Sequence, residues 1–187
     1  MRPYLAFIFV CACALAGGLA AYAQADPAPE PAPPTTTAIP DEPDLTTREL
    51  QKVINRYRRQ VWYWQRVMGH PLTRTLRHPS PRIADRVPVW RLVAKRTWAR
   101  AQHPPHQTAW RCIHRFEGAW GDSRGPYYGG LQMDLGFQRR YGAYLLRRKG
   151  TAEHWTQLEQ MWVAERALRA GRGFAPWPNT ARSCGLI

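Results

Sequence analysis

The first 25 residues decide which part of this chain can fold. Met1-Arg2-Pro3 is a short positive start, Tyr4 to Ala21 is apolar, and small residues follow in Ala21-Tyr22-Ala23 and Ala23-Gln24-Ala25. A basic, then apolar, then small order is the layout of a secretory signal peptide, cut after Ala23 or Ala25. The alternative is an uncleaved anchor, since the run is about long enough to cross a bilayer. Gly17-Gly18 and the small-residue end favour cleavage. Lipidation at Cys13 fits less well, because Val10-Cys11-Ala12 is a poor context for it.

Export sets the reading of the cysteines and of the charge. Cys11 and Cys13 leave with the signal, and Cys112 and Cys184 remain in an oxidising compartment where disulfides persist. A bond between them closes a loop of about 70 residues, worth about 4 kcal/mol to a small domain in the chain-entropy account. Two unpaired buried thiols are the other reading. No histidines lie at ligand spacing from them, so no metal set is expected. Lys and Arg number 27 against 13 Asp and Glu, a formal +14, which points to polyanionic partners. Charge alone would suggest nucleic acid. Outside the cytoplasm, the anionic polymers of a cell wall or a membrane surface take its place.

Four stretches follow one another: the signal at 1–25, a linker at 26–43, a basic helical accessory region at 44–104, and a C-terminal domain at 105–187. The linker is rich in Pro, Ala and Thr and too poor in apolar residues to fold, so it reads as an extended spacer. Thr46-x-x-Glu49 is a capping box, and Leu50, Val53, Ile54, Tyr57, Val61, Trp64 and Met68 then recur at helical spacing until Gly69-His70-Pro71. Arg48, Lys52, Arg56, Arg58, Arg59 and Arg66 occupy much of the remaining surface of that helix. Residues 70–86 read as a loop, and Pro88 as the first residue of a second helix reaching Arg100. Further on, a helix is predicted over His106–Glu117, short extended pieces over Tyr127–Met133, a helix capped by Asp134 and closed by Gly142, and a helix from the capping box Thr156-x-x-Glu159 to Ala170, ended by Gly171. The expected class is mainly α with a small β element.

Within the C-terminal domain, Glu117 follows Ile113 by one turn and adjoins Phe116, with Trp110 and Trp120 nearby. A carboxyl against apolar side chains is desolvated and held protonated nearer neutrality, as a general acid for glycosidic cleavage requires. Glycines 118, 121, 125, 129 and 130 let backbone approach a flat substrate. Trp120, Tyr127, Tyr128 and Trp177 offer faces for sugar rings, and Gln132 and Asn179 offer hydrogen bonds. A solvated surface charge is the competing interpretation of a lone Glu at a helix end. His114 receives no role, and Glu165 is expected to pair with Arg169 along its helix.

Trp110-Arg111-Cys112-Ile113-His114-Arg115-Phe116-Glu117-Gly118, followed by Gly125-Pro126-Tyr127-Tyr128-Gly129-Gly130-Leu131-Gln132-Met133, resembles the transglycosylase-like domain of actinobacterial resuscitation-promoting factors. The resemblance continues through Tyr141-Gly142, Ala164-Glu165-Arg166-Ala167 and Trp177-Pro178, and covers about residues 106–187. It implies a compact lysozyme-like fold, a single catalytic glutamate at Glu117, and substrate contacts at Tyr128, Gln132 and Trp177. The implied substrate is the β-1,4 bond between N-acetylmuramic acid and N-acetylglucosamine in peptidoglycan. No cofactor or metal is implied, and a monomer is expected. The family commonly has Cys immediately before the catalytic Glu and often Ser after it; Phe116 and Gly118 stand there instead, with Cys112 five residues upstream.

Asp122 and Asp134 are the acidic residues nearest Glu117 in the motif region. Asp134 reads as a helix cap and Asp122 as a turn residue. Hydrolysis needs a second carboxylate, so the sequence favours a one-carboxylate transglycosylase route. A wall-binding module that has lost turnover is the alternative function.

Overall fold

A computed structural model describes residues 45–77 and 79–187. The expected signal, its cleavage site and the linker lie outside the described residues. What is described is mainly α with one two-stranded antiparallel sheet. No described helix is long and apolar enough to cross a membrane.

Helix α1, Thr47–Met68, begins where its capping box requires. Glu49 N–H donates to the Thr46 hydroxyl, and the Glu49 carboxylate accepts from the Thr46 N–H at 2.9 Å. Gly69 ends the helix with a left-handed φ of 70°. Helix α2, Ile83–Ala101, starts five residues before the position expected from Pro88, which sits inside it. The first turn survives the missing N–H because Arg86 ties it down, donating to the Ser80 carbonyl at 2.6 Å, while Ser80 Oγ donates to Asp85 at 2.7 Å. Val87 is fully buried, and that burial also holds the turn helical.

Arg58 faces Trp90 and Trp64 meets Trp98, so α1 and α2 run in the same direction. The loop between them returns alongside α1, pinned where Trp62 Nε1 and Gln65 Nε2 donate to Thr73. Leu50, Ile54, Val61, Val87, Trp90 and Ala94 form one apolar cluster between these helices. The far ends of both helices belong to a second cluster: Trp64, Val67, Met68 and Ala101 pack with Trp110, Ile113, Met161 and Trp162.

That second core surrounds α6, Gln157–Ala167, opened by the other capping box, with Thr156 as its cap. Every residue from Leu158 to Glu165 is buried, so the helix is covered on all sides. Around it lie α3, Gln107–Glu117; strands β1, Tyr127–Tyr128, and β2, Met133–Asp134; α4, Leu135–Tyr141; α5, Ala143–Lys149; a 3-10 turn, Ala152–His154; and α7, Pro178–Ser183. Asp134 caps α4 as expected, its carboxylate accepting from Phe137 N–H at 2.7 Å. The predicted helix to Ala170 stays regular only to Ala167 and continues as a π turn, Leu168–Arg172.

A helix buried all round must satisfy its polar groups internally. Glu159 accepts from Lys149 Nζ at 2.7 and 2.8 Å and from the Tyr63 hydroxyl, which joins α6 to α5 and α1. Glu165 does not pair with Arg169. Its side chain points inward and accepts from His106 N–H at 2.7 Å and Trp110 Nε1 at 2.8 Å, placing a carboxylate at the start of α3. Arg169 instead donates to the Met68 carbonyl. The i, i+4 spacing is genuine, but a buried helix has no solvated face on which to use it. Cys112 and Cys184 are bonded, joining α3 to the end of α7 across 72 residues of chain.

Candidate active site

Glu117 is the last residue of α3. The disulfide sits about one turn from it on α3 and one turn past Thr180 on α7, and so brings the two helices together at this point. Thr180 Oγ1 donates to Glu117 Oε1 at 2.8 Å. Glu117 itself is half-buried. Phe116, expected beside the carboxyl as an apolar neighbour, is 58% exposed.

Gly118 follows with φ +145°, a backbone shape rare for residues with a side chain. A Cβ there would lie 3.3 Å from Asp122 Oδ2 and 3.4 Å from Gln132 Nε2. Two facts follow. The serine common in the resembled family would be strained here, and Asp122 and Gln132 come together directly beside the residue after Glu117. Gln132 Nε2 donates to Asp122 Oδ2 at 3.2 Å and to the Gly129 carbonyl at 3.0 Å. Gln132 also holds a positive φ of 45°, unusual outside glycine, on the turn between β1 and β2.

Asp122 is committed on both oxygens. Arg124 gives it three bonds, from its N–H at 3.1 Å and from Nε and Nη2 at 3.0 Å each, and Gln132 gives the fourth. A carboxylate offers about four acceptor positions, so little capacity is left over. The Arg124 side-chain bonds come first among the causes that hold this carboxyl down at about 2, against a smaller opposing effect of burial. The group is therefore an anion wherever the protein is folded in ordinary conditions. For a carboxyl lowered on folding, the stabilisation is complete above its ordinary value near 3.8 and is lost as pH falls through about 2. The melting temperature of the native protein should therefore fall more steeply between pH 4 and 2 than that of Asp122→Asn. Parallel curves would contradict this account of the turn.

His114 and Trp120 stack at 3.9 Å with planes 20° apart. They close on Gly130, where a Cβ would come within 2.6 Å of His114 Nδ1 and 2.8 Å of Trp120. His114 Nδ1 lies 3.2 Å from the Gly130 carbonyl. Burial pushes the imidazole below its ordinary value, with that hydrogen bond opposing, so the neutral ring donates Nδ1–H to the carbonyl. One face of Trp120 is thus covered. Behind it, the buried Gln160 donates to the Trp120 carbonyl at 2.9 Å and anchors the loop to α6.

The structure places the sequence-selected residues unequally. Glu117 and Gln132 converge through Gly118 and Asp122. Tyr127 is 50% exposed on β1, and Tyr128 is half-buried beside it with its hydroxyl against Gly125. Trp177 does not serve as a sugar platform. It is 4% exposed, its rings packed against Trp110 and Phe137 and its Nε1 donating to the Leu131 carbonyl at 2.6 Å. An indole this far inside the core has no free face for a substrate. Thr180 was not visible in the sequence as a site residue, because only the fold brings a residue 63 positions away to Glu117. A cavity of about 250 Å³ lined by Gln102, Gln107, Arg111 and Gln157 shares no residue with this site.

Thr180→Val keeps the size and removes the donor. A hydrogen bond between side chains contributes about 0.5–1.5 kcal/mol net, so if Glu117 acts as a catalytic acid, turnover should fall by up to roughly tenfold without the Thr180 contact that fixes its carboxyl. An unchanged kcat at unchanged KM would show that the bond has no part in catalysis.

No protein-family model matches the chain, and comparison with curated proteins and with solved structures returned no significant match.

Proposed function

We propose that this protein is an exported enzyme that cleaves the β-1,4 bond between N-acetylmuramic acid and N-acetylglucosamine in peptidoglycan, with Glu117 as its acid and base. The observation that supports this best is the convergence at Gly118: a half-buried glutamate at a helix end, held by Thr180, beside a permanently ionised Asp122 and the amide of Gln132. Exposed Tyr127 on the adjacent hairpin offers an aromatic face.

The two neighbouring aspartates favour one route over the other. Asp134 is occupied as the cap of α4, and Asp122 is saturated by Arg124 and Gln132. Neither is free to activate water or attack the sugar, as hydrolysis would need. Glu117 alone suffices for transglycosylation. It gives its proton to the oxygen of the departing sugar as the glycosidic bond breaks. The resulting carboxylate then takes the proton of the muramyl 6-hydroxyl, whose oxygen closes on C1. The product carries a 1,6-anhydro ring, and Glu117 ends protonated as it began.

Mass spectrometry of a peptidoglycan digest tests this directly. Anhydro-muramyl ends, lighter by one water than reducing ends, are the expected product. Reducing ends would exclude the one-carboxylate route, and no released fragments at all would leave a wall-binding module without turnover.

A further inference from the structure

We propose that the outer face of α1, continued by α5, is a docking ridge for a linear phosphodiester-linked polyol polymer of the cell envelope. The inference rests on the exported location proposed above and is independent of Glu117.

Helix α1 carries six basic residues and a single acidic one, Glu49. Glu49 is engaged in the capping box, bonded to the Thr46 N–H and hydroxyl at 2.9 and 2.7 Å. Arg58 leaves the set, because its guanidinium packs over Trp62 and Trp90 at 4.6 and 5.6 Å between α1 and α2. The other five, Arg48, Lys52, Arg56, Arg59 and Arg66, are all exposed. At 3.6 residues per turn they fall within roughly 80° of arc, in one row about 27 Å long. Among the described residues none of the five has an acidic partner within ion-pair distance.

The row does not stop at the end of α1. Tyr63, on the same face, meets Tyr144 of α5 with ring centres 5.8 Å apart. Arg66 lies over the Tyr144 ring at 5.5 Å, and Arg148 lies over Tyr63 at 5.7 Å. The paired tyrosines thus fix the last guanidinium of the α1 row, Arg66, and add one more from α5, Arg148, which a merely solvated charge run does not need.

The shape of the ridge selects the partner. Helices that lie on bilayers set large apolar residues beside their basic ones. The apolar residues of α1 are turned inward to α2 and the core, and the exposed aliphatics Val89 and Leu92 belong to α2. Single-stranded nucleic acid calls for open aromatic faces, whereas Tyr63 and Tyr144 face each other and the guanidiniums. A narrow row of cations, most of them one turn or about 6 Å apart, matches a thread with one phosphate per short repeat. Binding such a thread would hold the enzyme at the wall that it cuts.

Fluorescence anisotropy of labelled poly(glycerol phosphate) with the full chain tests the ridge. Affinity is expected to fall at least tenfold between about 50 and 200 mM salt, as for other linear polyanions. The variant Arg48→Gln/Lys52→Gln/Arg56→Gln/Arg59→Gln should bind at least tenfold more weakly at low salt, with a shallower salt dependence and an unchanged melting temperature. A variant with Arg74, Arg77, Arg139 and Arg172 changed to Gln, equal in net charge, should bind as the native chain does. Glu117→Gln should also bind normally, so a failure of cleavage and a failure of docking are read separately. Equal weakening by the two charge variants, tighter binding to phosphatidylglycerol vesicles or to DNA than to the polymer, or no binding to the polymer would each overturn the proposal.

Discussion

Glu117→Gln should lower muropeptide release from purified peptidoglycan by a factor of about 10²–10⁴, the usual contribution of a positioned general acid. Glutamine keeps the length and the acceptor that Thr180 Oγ1 addresses at 2.8 Å, so the fold and the hydrogen bond should remain. On the proposed mechanism, what it loses is the proton for the departing sugar and the basicity that collects the 6-hydroxyl proton afterwards. Both halves of the reaction fail together, so kcat falls far more than KM changes. A melting curve like that of the native protein would show that the loss is chemical. Residual activity within about threefold of native would remove Glu117 from the mechanism.

The largest loss of stability is expected from Glu159→Ala. The side chain is fully buried and joins three helices through Lys149, Tyr63 and its own capping box. Burial pushes its carboxyl up to about 7, with the Thr156 N–H opposing, and pushes the Lys149 ammonium down. A carboxyl raised on folding favours the protonated native state. That contribution is complete below the ordinary value of 4.5 and is lost as pH rises through about 7. Removing one member of a buried pair typically costs about 3–5 kcal/mol, because the other is left without its partner. For a folded part of this size the melting temperature should drop by about 10 °C or more. Glu159→Gln keeps the volume and one acceptor, and should lose less while flattening the pH dependence between 4.5 and 7. A drop of under 3 °C in Glu159→Ala would mean that the pair is not a structural tie.

Where the chain's own chemistry was local, it could be read in advance. Both capping boxes, the Asp134 cap and the Gly142 stop depend on side chains within a few residues of one another, and all appear in the structure. The short strands around Gly129-Gly130 and the Cys112–Cys184 bond were likewise expected and found. Failures came where a distant partner outweighed the local pattern. Pro88 marks a helix start in isolation, but Arg86 and the burial of Val87 carry the helix back to Ile83. Glu165 looked like a surface residue by its i, i+4 spacing, and Trp177 like a cleft residue by its aromatic face and the family resemblance, yet both pack against Trp110 in the core. Thr180 gave no signal at all, since its role depends on α7 being brought against α3.

The bond between Cys112 and Cys184 makes everything between them a closed covalent ring. The exposed turn at residues 121 and 123–126 is the natural target for a protease, and it lies within that ring. A single cut there would separate Glu117 from Gln132 along the chain but leave both on one molecule, tied back through the sulfurs. A clipped protein of this kind should run as one species on a denaturing gel and as two only after reductant is added. Proteolytic damage at this turn would therefore not shed half of the site.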